Sequence, residues 1–271
     1  MTVSEDTAPM PTRHNWIFLT VFFSVHAAAI TAIALYRSWS ALAVAAVGHA
    51  FFGWVGIGLC YHRLLTHKGF KVKPWFERVL VTIGALNVQG GPITWVATHL
   101  QHHAKSDKPG DPHSPRDGGF WWSHVGWMLK GGQRQYGFRA EKRLADIRYY
   151  RFLEAGQLLF QLPLAVLLFW MGGLPFVMYG IFVRLVASWH ITFCINSVCH
   201  LWGSRRFETK DDSRNNALVN LFAGGEGLHN NHHDSPSTAI TAVRWWDFDA
   251  TGWLIRGLEK VGLATDVVKK R

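Results

Sequence analysis

Two uncharged apolar stretches, residues 16–36 (WIFLTVFFSVHAAAITAIALY) and 41–60 (ALAVAAVGHAFFGWVGIGLC), are each long enough to cross about 30 Å of hydrocarbon. A third runs from about residue 153 to 173 with Glu154 as its only charge. A fourth, from about 174 towards 200, is interrupted by Arg184. Backbone that crosses lipid must satisfy its own hydrogen bonds, so these stretches read as helices. Paired as two hairpins, they predict an all-α integral membrane protein with four transmembrane helices. The mean hydropathy is only +0.05 because long polar segments separate the spans.

The basic residues set the orientation. The short connections 37–40 and 171–175 hold one Arg between them, whereas 61–152 holds fifteen Lys and Arg and the chain after His200 holds ten. The positive-inside rule then puts the N-terminus and both polar segments on the cytoplasmic side of a multi-pass protein. The expected organisation is a polar tail (1–15), a first hairpin (16–60), a polar segment (61–152), a second hairpin (153–199) and a final polar segment (200–271). Together 16–260 form one functional domain under a cytoplasmic helical cap. The first stretch is too long for a signal-peptide core and is kept as a span. Residues 78–98 are also partly apolar. Asn87, Gln89, Gly90, Gly91 and Pro92 break them, so they read as an interfacial helix and a turn. The net charge of +10 combines this orientation signal with attraction to anionic headgroups. No nucleic-acid recognition motif is present. Cys60, Cys194 and Cys199 form no C-x-x-C and read as small packing residues.

The polar segments carry the chemistry. Eight histidines fall in three clusters, His62-Arg-Leu-Leu-Thr-His67, His99-Leu-Gln-His102-His103 and His229-Asn-Asn-His232-His233, and His200 follows Asn196 by four residues. In each H-x-x-H-H cluster the first histidine is three and four residues from the others, so a helix points all three to one face. Imidazole suits Fe, Cu, Ni and Zn, and so many imidazoles exceed one ion's needs, which indicates a two-metal centre. A set rich in His and poor in carboxylate suits oxygen activation at the membrane surface. Asp107, Asp111 and Glu226 are candidates to orient imidazole N–H groups. An even number of crossings brings all three clusters to one side.

HRLLTH, HLQHH and HNNHH resemble the three histidine boxes of the membrane-bound fatty acyl desaturases. NSVCH (196–200), DPHSPRDGGFWWSHVGW (111–127) and GGEGLHNNHH (224–233) are similar to segments of the Δ9, stearoyl-CoA-desaturase-like branch, in its bacterial form. The resemblance covers about residues 16–260. It implies that His62, His67, His99, His102, His103, His200, His229, His232 and His233 ligate two iron ions (Fe2+/Fe3+), with Asn196 holding a metal-bound water. It further implies an oxidoreductase that uses O2 to place a cis double bond, at position 9, in a long saturated acyl chain carried on CoA or in a membrane glycerolipid. No H-P-G-G motif is present, so electrons are expected from a separate ferredoxin, rubredoxin or cytochrome b5-type protein and its reductase. The short chain and the motifs point to a prokaryotic cytoplasmic membrane. Two pairs depart from the animal acyl-CoA enzymes. Ala97-Thr98 stands where they have Arg-Asp, and Arg116-Asp117 where they have two basic residues. Both raise a glycerolipid or carrier protein over CoA.

A hydroxylase or acetylenase with the same boxes is the nearest rival. A metal transporter would need ligands along its spans, yet His26, His49 and His190 form no pair by spacing. A bis-histidine haem protein would leave most boxes unused. His26 and His49 read as helix–helix hydrogen-bonding groups, His190 as a candidate tunnel residue, His113 and His124 as structural and His14 as a solvated tail residue. Arg184 needs snorkelling or a buried partner. Trp16, Trp39, Trp54 and Trp170 read as interface or packing residues, and Trp121-Trp122 and Trp245-Trp246 as anchors of the cap.

Overall fold

The computed structural model describes residues 15–130 and 142–270, so most of the polar tail, His14, and the basic residues Arg134 and Arg139 lie outside the described residues. The chain is mostly helical. Three helices are long and apolar enough to cross a membrane: α1 (Trp16–Leu35), α2 (Trp39–Thr66) and a later helix, Gln161–Leu201. Only 22, 28 and 22% of their most apolar windows is buried, so their apolar faces point outward as lipid-facing surface does. Local chemistry marks the ends. Asn15 accepts from Phe18 N (3.2 Å) to open α1, and Ser38 accepts from Ala41 N (3.2 Å) to open α2.

The segment between the second and third apolar stretches contains α3 (Pro74–Ala85), α4 (Pro92–Lys105) and α5 (Pro115–Trp121), each opened by proline. α3 lies along α2. Its close approach needs Gly84, where a Cβ would stand 2.3 Å from the Tyr61 ring. The α3–α4 turn is pinned to α2 by Asn87 Nδ2 donating to Phe52 O (2.8 Å). The expected helix and turn over 78–98 are therefore present, and the second helix is α4, the carrier of the middle histidine cluster. A two-residue antiparallel ladder, β1 (Lys71–Val72) with β2 (Ala264–Thr265), ties this segment to the C-terminal region.

The third apolar stretch differs from its reading. Helix α6 (Arg148–Gly156) ends inside it, residues 157–160 form turns, and the helix resumes at Gln161. Leu158, Leu159 and Phe160 make this turn apolar, which hid it from a composition-based reading. The helix that follows, α7 (Gln161–Leu201), is broken at Gly172 and Gly173. Arg184 reaches Gln161 Oε1 (3.3 Å), a contact that a straight helix with a rise of about 1.5 Å per residue forbids, so the two arms of α7 run antiparallel. Gly173 has φ 67° and ψ −159°, a conformation open essentially to glycine alone. Gly173→Ala is expected to cost about 1–3 kcal/mol, read as a lower melting temperature in detergent. An unchanged melt would show that the turn relaxes freely.

Arg184 is fully buried. It donates to Gly180 O (2.7 Å) and Leu86 O (3.2 Å) and packs on the Phe52 ring. His49 bridges Ser188 Oγ (2.9 Å) and Phe222 O (3.0 Å), joining α2 to α7 and α8 (Ala217–Ala223) as a helix–helix contact. His26 and His190 do pair, at 3.0 Å between Nε2 atoms. From His190 the chain continues to His124 (2.9 Å) and then Ser197 Oγ (2.9 Å). These partners lie 164 and 66 residues apart, a separation that sequence spacing does not encode. Cys60 and Cys199 are buried free thiols. Trp121 and Trp245 are strongly exposed, as anchors require.

Candidate metal centre

The first histidine cluster sits at the end of α2. From Ala50 this helix winds in wide π-type turns, and His67 N donates to His62 O (3.1 Å), an i→i+5 bond. That winding brings two residues five apart towards one side, with ring centroids 4.9 Å apart. An ordinary α-turn would have splayed them. The second cluster lies on α4. The third lies on α9 (His229–Asp234), beside the end of α7 that carries Asn196 and His200.

All nine histidines converge, in two groups. His62, His67, His99, His103 and His232 form one, and His102, His200, His229 and His233 the other, with ring nitrogens in each group within 4.8 Å of one another. Each H-x-x-H-H helix serves both. α4 gives its i,i+4 pair (His99, His103) to the five-histidine group and His102 to the other. α9 gives His229 and His233 to the four-histidine group and His232 to the first. Asn196 lines the two cavities that border these groups.

Carboxylates face the outer ring nitrogens. His102 Nδ1 meets Asp111 (3.1 Å), His200 Nδ1 meets Asp107 (2.8 Å), His233 Nδ1 meets Asp211 (2.7 Å), and His62 Nδ1 lies against Glu226. Asp107, Asp111 and Glu226 thus take the orienting positions expected of them. Asp211 escaped sequence reading because nothing in K-D-D-S-R-N-N distinguishes it. Glu226 is held in turn by Arg63 (2.8 Å), which also pairs with the fully buried Asp249 (2.9 Å). Burial alone would raise Glu226, but Arg63 and His62 hold it at about 2. Asp107 is likewise held at about 2, burial being outweighed by His200, and Asp111 and Asp211 lie below the usual carboxylate range. These acids stay ionised. Burial and neighbouring imidazoles push His99, His103, His229 and His232 far below the ordinary histidine range and His67 down to about 2.

The donor set fits a pair of metal ions. A neutral imidazole has one N–H, and where Nδ1 gives it to a carboxylate, Nε2 presents a lone pair. His102 and His233 then aim Nε2 lone pairs at each other across 3.3 Å. A cation satisfies that arrangement, and a proton cannot without charging a ring. The third potential group, His102, Asp111 and His113, shares His102 with the four-histidine group.

Two apolar cavities meet at the centre. One is walled by Phe18, Val88, Trp127, Met128, Trp189 and Phe193, the other by Trp54, Ile57, Ile191 and Ile195, and both include Trp95, His99, Thr192 and Asn196. Gln89 Nε2 donates to Thr192 Oγ1 (3.1 Å) at the junction. Sequence reading took Gln89 only as a helix breaker, gave Thr192 no role and took Trp54 for an interface or packing residue. His190, read as a tunnel candidate, points instead to His26 and His124.

Fold and site together define a helical protein with membrane-spanning character and a paired polyhistidine centre. A profile described as "Fatty acid desaturase" matches residues 37–266. The chain is 44% identical over 259 residues to the sn-2 palmitoyl-lipid 9-desaturase of Nostoc sp. (strain 36), covering 94% of this chain and 90% of that one. It is 39% identical to the sn-1 stearoyl-lipid 9-desaturase of Anabaena variabilis (98% and 97% covered) and 43% identical to the icosanoyl-CoA 5-desaturase of Limnanthes douglasii (86% and 66% covered). The chain belongs to the fatty acid desaturase family, and it is an oxidoreductase of the acyl desaturase type.

Proposed function

We propose that this chain places a cis double bond at position 9 of a long saturated acyl chain while that chain is esterified in a membrane glycerolipid. The observation that carries the reading is the meeting of two apolar cavities at the paired histidine groups. His62, His67, His99, His103 and His232 would hold one iron ion, and His102, His200, His229 and His233, with Asn196 acting through a water, the other. Two such ions, reduced by a separate electron-transfer protein, supply with O2 the oxidant that unactivated methylene groups require. The chain's own residues do the rest. The walls of Phe18, Trp127, Trp189 and Phe193 on one side and Ile57, Ile191 and Ile195 on the other exclude water and hold an alkyl chain by apolar contact. Trp95, Thr192 and Asn196 fix which carbons lie beside His99 at the junction.

Position 9 follows the names of the Nostoc and Anabaena relatives. The carrier follows from the departures near the centre. Ala97 is buried, Thr98 donates to Thr94 O (2.9 Å), and Arg116, though exposed, pairs with Asp212 (2.6 Å), so a phosphate of CoA would have to compete with a carboxylate for that arginine. In the bilayer, the antiparallel arms of α7 would serve as the third and fourth spans. That completes two hairpins in a domain over 16–260, with both polar segments on the cytoplasmic side.

The test is acyl-chain analysis of a desaturase-deficient host, paired with nanodisc assays on deuterated stearoyl glycerolipid and deuterated stearoyl-CoA. Labelled Δ9 monoene in the glycerolipid, with the CoA substrate untouched, is expected. Conversion of the CoA substrate alone would overturn the carrier. Products that gain one oxygen would move the chain to the hydroxylases, and loss of four hydrogens to the acetylenases.

A further inference from the structure

We propose that the two histidine groups are unequal metal sites. The four-histidine group binds its ion more tightly, because Asp107, Asp111 and Asp211 back it. This rests on the reading that both groups hold metal.

The asymmetry is in the hydrogen bonds to Nδ1. In the four-histidine group, three of four rings meet an aspartate: His102 with Asp111, His200 with Asp107 and His233 with Asp211. In the five-histidine group only His62 meets a carboxylate, among the described residues. His232 Nδ1 is buried with no hydrogen-bond partner. The carboxylates differ too. Glu226 shares its charge with Arg63, whose Nε and NH2 both donate to its Oε1 (3.0 and 2.8 Å). The aspartates are held by neutral donors besides their histidines. Asp107 takes Ser114 Oγ and Asp212 N (2.8 Å each), Asp111 takes Asp107 N (2.9 Å) and His113 N (3.1 Å), and Asp211 takes Thr209 Oγ1 (2.9 Å) and Ser213 N (3.1 Å). These donors fix the carboxylates without cancelling their charge. Asp107 even adopts a left-handed φ of 56° in this position.

A carboxylate behind a ligating histidine makes the ring a better donor, and losing one such partner typically weakens metal binding about 10–100-fold. The five-histidine group has one more imidazole, a neutral ligand. Three anions with no arginine bonded to their carboxylates, beside a buried dication, outweigh that single added dipole.

The test uses the full-length chain, freed of metal in nanodiscs and titrated with Co2+ against a competing chelator, with absorption as the readout. His67→Ala, made together with His103→Ala, breaks only the five-histidine group, and His200→Ala, made together with His229→Ala, only the other. The site surviving in the first double variant is expected to bind Co2+ at least about 10-fold more tightly than the site surviving in the second. Adding Asp211→Asn is expected to weaken the site of the first double variant about 10–100-fold and leave that of the second unchanged. Circular dichroism checks that each variant is folded. Should a variant not fold, the chain with all nine histidines gives the same answer: under chelator challenge its cobalt leaves in two steps, and Asp211→Asn hastens only the later one. Equal affinities, the reverse order, or one-step loss would overturn the inequality. No cobalt bound by the unaltered chain would instead overturn the metal reading beneath it.

Discussion

His229→Ala is expected to abolish monoene formation, with activity falling more than about 100-fold, since losing even an outer partner of a metal ligand costs about 10–100-fold. His229 is buried, and its Nε2 stands 3.0 Å from that of His200. It shares the four-histidine group with His233, its i,i+4 neighbour on α9, so alanine there removes one donor of that site and leaves the five-histidine group complete. Metal content per folded chain should fall from two ions towards one. Acyl-chain analysis and elemental analysis on the same preparation check both. Retained activity with two ions bound would remove His229 from the ligand set.

Arg63→Met is expected to give the largest loss of stability. Arg63 is 1% exposed, and its guanidinium donates to Glu226, to Asp249, to Ala239 O (2.9 Å) and to Thr241 Oγ1 (3.2 Å). Methionine keeps much of the apolar stem and strands two buried carboxylates. Breaking a buried pair from one side costs about 3–5 kcal/mol, a fall in melting temperature on the order of 10 °C for a chain of this size. Adding Asp249→Asn removes one stranded charge and should restore part of the loss. A melting temperature within error of the unaltered chain would show that water or a rearranged neighbour replaces the guanidinium.

What sequence reading reached, and what it missed, follows from range. The apolar stretches and the three histidine clusters are local patterns, and the structure keeps them: α1, α2 and α7 fall on the stretches, and all nine histidines converge. The division into five and four follows from the 3.6-residue helical repeat at α4 and α9, but only once both helices are docked. Asp211, the Arg63–Asp249 pair and the His26–His190–His124 chain depend on contacts between distant segments, and no spacing rule reports them. The turn over 157–160 failed for a different reason. Leu158, Leu159 and Phe160 are as apolar as the helix they interrupt, so hydropathy has no contrast there.

The crossing of ligands between the two groups has a consequence for biosynthesis. The five-histidine group draws on α2, α4 and α9, and the four-histidine group on α4, α7 and α9. No half of the centre is therefore encoded by half of the chain. A ribosome must release His232 and His233 before either group is complete, by which time every apolar helix has already been made. On the proposed reading, metal would then be a late passenger, loaded after the last apolar helix has been made, and truncation anywhere before α9 would disarm both positions at once.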